Sequence, residues 1–126
     1  VFGRVDYTLS SGLNREDINK DGKVTDDIIK VSKKALENNL NLVVGGGISL
    51  DALEILKKIK KIHLNRFETR KVIFSSEALK IKNLDKGMLQ AVNFELLWLK
   101  NKKNYYGSIF KEDDKRIDML SKRWKV

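Results

Sequence analysis

Three apolar segments set at βαβ spacing constrain this chain more than anything else in it. They are GRVDYTL at 3–9, LNLVVGG at 40–46 and RFETRKVIF at 66–74. The middle one is a near-continuous apolar run and reads as a strand buried on both faces. A long polar loop, SSGLNREDINKDGKVT, covers residues 10–25. A helix is expected over 26–38, with Thr25 as its cap and Ile28, Ile29, Ala35 and Leu36 on one side. Ser49 can cap a second helix over 50–61, whose inner side carries Ala52, Leu53, Leu56 and Ile59. Strand, helix, strand, helix, strand in this order predicts right-handed βαβ units and a parallel sheet.

In the first segment, taken as a strand over 3–9, side chains alternate between faces. Val5, Tyr7 and Leu9 then form an apolar face, and Arg4, Asp6 and Thr8 a polar one. A polar inner face suits the mouth of a ligand-binding barrel. Beyond Phe74 the character changes to two long helices, 86–103 and 111–124, the second with a stripe of Ile117, Leu120 and Trp124. Three parallel strands and a helical tail leave both sheet edges open. A complete (β/α)₈ barrel takes ~250 residues, about twice this chain. The expected fold is therefore α/β: residues 1–85 as the C-terminal part of a TIM barrel, its last three parallel strands and their helices, and residues 86–126 as a C-terminal helical extension. On this reading the chain begins inside a fold.

Composition narrows the classes of function. No apolar run approaches the ~20 residues that span a membrane, and with no cysteine there is neither a disulfide framework nor a thiolate metal site. A cytoplasmic location and no membrane partner are expected. The net charge of +9 invites a nucleic-acid reading. Yet 20 of the 26 basic residues are Lys and they are spread along the chain, without the Arg forks and interleaved aromatics of nucleic-acid readers. KKIKK at 57–61 reads as the solvated face of a helix, and no nucleic-acid partner is expected.

Several residues carry chemistry. Asp6, an acid on the inner face of a barrel strand, has the character of a Mg²⁺ ligand, since that ion takes one or two carboxylates together with water and substrate oxygens; the alternative is a structural salt bridge, with Arg4 or with a neighbouring strand. Gly45, Gly46 and Gly47 end the second strand ahead of a helix, where backbone can approach a ligand closely. GGGIS also occurs in phosphate-binding barrels, so a phosphate-binding TIM-barrel enzyme is one alternative, although the last strand lacks the second glycine-rich loop. Glu68 and Arg70 share a face of the third strand and are expected to pair, and His63 stands alone ahead of it. Residues 17–28, DINKDGKVTDDI, match a calcium loop of the EF-hand or dockerin type at Asp17, Asn19, Asp21, Gly22 and Val24. The closing acid falls one place early, at Asp27, with Ile28 in the twelfth position. A calcium-binding interaction module is the second alternative.

In order along the chain, FGRVDYTLSSG at 2–12, LVVGGGIS at 42–49 and RFETRKVIF at 66–74 resemble the C-terminal half of the aldolase/citrate lyase family, which includes proteins like the citrate lyase β subunit. The first motif is similar to that family's metal-binding segment, with Val5 where the family often has Glu and Ser11 where it has an aliphatic residue. The resemblance implies a Mg²⁺-dependent carbon–carbon lyase acting on a β-hydroxy carboxylic acid or its CoA thioester through a metal-stabilised enolate. It implies Asp6 as a metal ligand, Gly46, Gly47 and Ile48 as substrate-binding residues, and a homo-oligomer in which FELLWLKNKKNYY at 94–106 packs on a neighbouring subunit. The family's second metal carboxylate and substrate arginine come from earlier strands, so this chain alone is expected to be inactive.

Overall fold

The computed structural model describes residues 1–124 and divides into two compact units, Val1–Val92 and a second beginning at Asn93. The first unit holds a four-stranded mixed sheet in the order β1-β2-β3-β4: β1 Phe2–Gly3, β2 Val43–Gly45, β3 Arg66–Glu68 and β4 Ile73–Ser75. β1, β2 and β3 are parallel; β3 and β4 are antiparallel. This arrangement overturns the expected run of three parallel barrel strands. A hairpin closes the sheet where a barrel would need another parallel neighbour.

The hairpin forms inside RFETRKVIF. Thr69 N–H donates to Val72 O (2.9 Å) and Val72 N–H returns a bond to Thr69 Oγ1 (3.1 Å), so the chain reverses at Arg70 and Lys71. Two adjacent cations are better solvated at a turn than inside a sheet. The reversal stacks Phe67 on Phe74, with ring centroids 5.1 Å apart, and ends the alternation that made residues 66–74 look like one strand.

The first segment departs from expectation as well. Only Phe2 and Gly3 extend; Arg4–Ser10 is helix α1. The periodicity of side chains is then 3.6 rather than 2, which inverts the predicted faces. Arg4 and Thr8, one turn apart, are buried, while Leu9 and Asp6 face solvent. Thr8 Oγ1 donates back to Arg4 O (2.6 Å), a local bond available only in the helix.

Helix α2, Lys23–Glu37, buries Val24, Ile28 and Ala35, and its Leu36 is half exposed. A 3₁₀ turn, Leu50–Ala52, leads into α3, Leu53–Lys60, which buries Ile55, Leu56 and Ile59. With Val44 and Phe67 from the sheet and Leu84 and Met88 from the next helix, these residues make one core. That next helix, α4, runs Leu84–Trp124 without the break expected near residue 104. Gly107 stands inside it at a cost of about 1 kcal/mol relative to Ala, too little to end a helix of this length. Among the described residues no helix is long and apolar enough to cross a membrane.

Candidate functional site at the carboxyl ends of the parallel strands

Open parallel sheets present ligands with the carboxyl ends of their strands. Here the register aligns Gly3 with Gly45 and Gly45 with Glu68, so one row crosses all three strand ends. Paired residues project from the same face of a sheet. Neither glycine has a side chain; a carboxylate fills the vacant place at Gly45, and another packs beside Gly3. The Asp6 carboxylate, in the first turn of α1, lies with Oδ2 3.5 Å from where a Gly3 Cβ would stand. The Glu68 side chain crosses Gly45, with Oε1 2.9 Å from the place of its Cβ. Asp6 thus lies beside Gly3 of β1, and Glu68 reaches from β3 over Gly45 of β2.

The glycine loop closes the site from one side. Gly46 (φ +84°) and Gly47 (φ +60°) have left-handed backbones, which glycine adopts without strain. Gly46 presses on the start of α1: an added Cβ would sit 2.8 Å from Val5 N and 2.9 Å from Arg4 N. Arg4 locks the contact, its Nε donating to Gly46 O (3.0 Å) and its Nη2 to Gly47 O (2.9 Å) and Asn19 Oδ1 (3.0 Å). Arg4 is fully buried, its Nη1 has no hydrogen-bond partner among the described residues, and burial lowers its pKa to about 10, so it stays charged at neutral pH. Of the predicted substrate-binding residues, Gly47 is exposed at this edge, Gly46 is half-buried and Ile48 is in the core.

Arg4 and Glu68 are what sequence reasoning missed. Arg4 was the alternative partner for Asp6 and binds carbonyls instead; Glu68 was expected to pair with Arg70, which sits beyond it in the turn. The glycines in register with Gly3 were the available signal, legible only once the pairing is known.

The calcium-like loop is engaged elsewhere. Asp17 caps the 3₁₀ turn Arg15–Asn19 and pairs with Lys20 (2.9 Å), which holds its carboxyl below the usual range. Asn19 accepts from Arg4, and Asp21 pairs with Lys58 (2.6 Å). Asp27 accepts from the Tyr7 hydroxyl and pairs with Lys30. These four groups turn to five different side-chain partners rather than to a common centre.

His63 has a structural part: its Nε2 is 2.7 Å from Leu40 O, and its own carbonyl accepts from the buried Ser32 hydroxyl (2.6 Å). Among the described residues no group of three or more His, Asp or Glu forms a metal cage. Compared with family models, curated proteins and solved structures, the chain shows no match to any of them.

Proposed function

We propose that this chain belongs to a Mg²⁺-dependent carbon–carbon lyase of the aldolase/citrate lyase type, acting on a β-hydroxy carboxylic acid or its CoA thioester. The observation that supports this reading is the pair of carboxylates, Asp6 and Glu68, at the strand ends beside a glycine loop. Two hard oxygen donors with open positions around them suit Mg²⁺, which keeps waters and substrate oxygens in its shell. Bound there, the ion supplies a Lewis acid for a carboxylate or carbonyl oxygen. Asp6 and Glu68 hold it, and their charge excludes a free carboxylate from the site when the ion is absent. Gly47 lets a substrate approach the backbone closely, and Arg4 keeps Gly46 and Gly47 at a fixed distance from Asp6.

The second unit fits a homo-oligomer. From Asn93 its helix exposes Phe94, Leu97, Tyr105, Phe110 and Trp124, more apolar surface than a helix in water keeps uncovered. We assign the side of this helix that carries Phe94, Leu97 and Tyr105 to a second copy of the chain.

The reading is tested with the chain carried in its full-length parent, which is incubated with Mg²⁺ and a panel of β-hydroxy acids and their CoA thioesters while release of the cleaved fragments is followed. Turnover that requires Mg²⁺ and is abolished by Asp6→Ala, with the melting curve unchanged, is expected. Turnover that survives Asp6→Ala contradicts the assignment.

A further inference from the structure

At the other end of the sheet, away from Asp6 and Glu68, four lysines converge on one cavity. β3 runs from Arg66 toward Glu68, and Ser76 N–H donates to Asn65 O (2.9 Å) at the starting end of that strand. The 3₁₀ turn Ser76–Lys80 begins there and packs against the end of α3. Between them lies a cavity of about 400 Å³ lined by Lys57, Lys60, Lys61, Leu79 and Lys80.

The charges in this cavity are unbalanced. Lys57 pairs with Glu54 (3.0 Å), while Lys60 and Lys80 share a single carboxylate, Glu77, at 2.5 and 2.6 Å. Lys61 has no acid partner among the described residues. Four ammonium groups thus meet two carboxylates. Glu77, flanked by two cations, is held down to about 2 and stays ionised across the physiological range. Lys60 is the least exposed of the four: its side chain is only 18% exposed and its Nζ also bonds Ser76 Oγ (2.9 Å). The walls are apolar, made of Leu79 and lysine methylene stems, with the ammonium groups as polar tips.

We propose that this cavity binds a phosphate dianion, either free or as the head of a phosphate monoester. Lysines bind phosphate as point charges that need no fixed fork, and a dianion matches the surplus of two positive charges. The apolar wall favours a monoester whose alcohol part can lie on Leu79. The site is independent of the lyase reading, because it shares no residue with the strand-end carboxylates.

The test is a titration of the whole ¹⁵N-labelled chain with inorganic phosphate and, separately, phenyl phosphate, at constant ionic strength set with sodium chloride. Saturable amide shifts confined to 57–61 and 76–80 are expected. Lys57→Gln with Lys61→Gln, both exposed positions, should weaken binding about tenfold or more. Glu77→Gln, which removes the competing carboxylate from Lys60 and Lys80, should tighten it. Tighter binding of phenyl phosphate assigns the site to a monoester, and equal binding assigns it to free phosphate. Shifts scattered over lysines throughout the chain, or Glu77→Gln binding no more tightly than the parent, would overturn the proposal and leave the lysines as a solvated helix end.

Discussion

Arg4 and Gly46 hold each other in place: the guanidinium Nε donates to the Gly46 carbonyl at 3.0 Å, while the Gly46 α-carbon lies so close to α1 that a methyl group would come within 2.9 Å of the Arg4 amide nitrogen. The glycine loop and the first turn of α1, which carries Asp6, are therefore one mechanical unit. That coupling makes the site sensitive at positions that touch no ligand.

Gly46→Ala should be among the costly substitutions in the first unit. It combines a left-handed backbone, at about 1–2 kcal/mol, with a clash against backbone nitrogens that have no freedom to give way. A loss of about 3 kcal/mol is expected from urea unfolding. Gly12→Ala is the internal control: φ is +70° but nothing lies within 4 Å of the added methyl, so only about 1 kcal/mol should be lost.

Arg4→Met keeps an unbranched apolar stem that ends about where Nε stands and removes every donor. Gly46 O, Gly47 O and Asn19 Oδ1 then lose their partner together, and about 2–3 kcal/mol should go with them. Arg4→Lys restores a cation without the fork and should fall between the two. Equal stability of all three proteins would show that the guanidinium bonds contribute nothing.

Phe67 is fully buried and stacked on Phe74 at the hairpin, where it joins the sheet to the core. Phe67→Ala should cost about 3–5 kcal/mol, and a smaller loss in a chemical melt would mean that the core collapses around the gap.

The Lys60–Glu77–Lys80 bridge predicts a pH dependence of definite sign. Glu77 has its folded pKa lowered from 4.5 to about 2, so its contribution is complete above about pH 4.5 and disappears as pH falls toward 2. The parent should melt above Glu77→Gln at pH 6, and the gap should close by pH 2. Salt should narrow it at pH 6, because the carboxylate is exposed to solvent.

The face at Phe94, Leu97 and Tyr105 should hold two or more copies together. Light scattering behind a sizing column is expected to give a mass above that of one chain, and Phe94→Ser with Leu97→Ser to return it toward a monomer. A monomeric parent would contradict the assignment of this face to a second copy.

Much of the first unit was legible in the sequence, for reasons that particular residues make plain. Val43 and Val44 form an apolar run bounded by glycine, and Ile28, Ala35, Leu56 and Ile59 recur at helical spacing, so β2, α2 and α3 stand close to where periodicity put them. What failed was decided by contacts distant in sequence. Residues 3–9 alternate well enough for a strand, but Arg4 finds its carbonyl partners at Gly46 and Gly47 only from the start of a helix. The hairpin at 69–72 rests on one threonine hydroxyl and two solvated cations, with no Asn-Gly or Asp-Gly pair to announce it. With the hairpin and the first helix in place, the barrel expectation cannot stand. Asp6 was singled out as the inward acid of a strand and stands instead in the first turn of a helix; Glu68 comes to lie over Gly45 through strand register, which no local pattern encodes.

The central claim is that Asp6 and Glu68 together hold a divalent cation. Calorimetric titration of the full chain with Mg²⁺, with Mn²⁺-induced broadening of its amide resonances as a second readout, tests this directly. Saturable binding is predicted, with broadening centred on Gly3, Asp6, Gly45 and Glu68, lost in Asp6→Ala, weakened in Glu68→Gln and unchanged in Asp17→Ala and Asp21→Ala. Binding that ignores Asp6→Ala, or Ca²⁺ binding that disappears with Asp17 or Asp21 instead, would contradict the account.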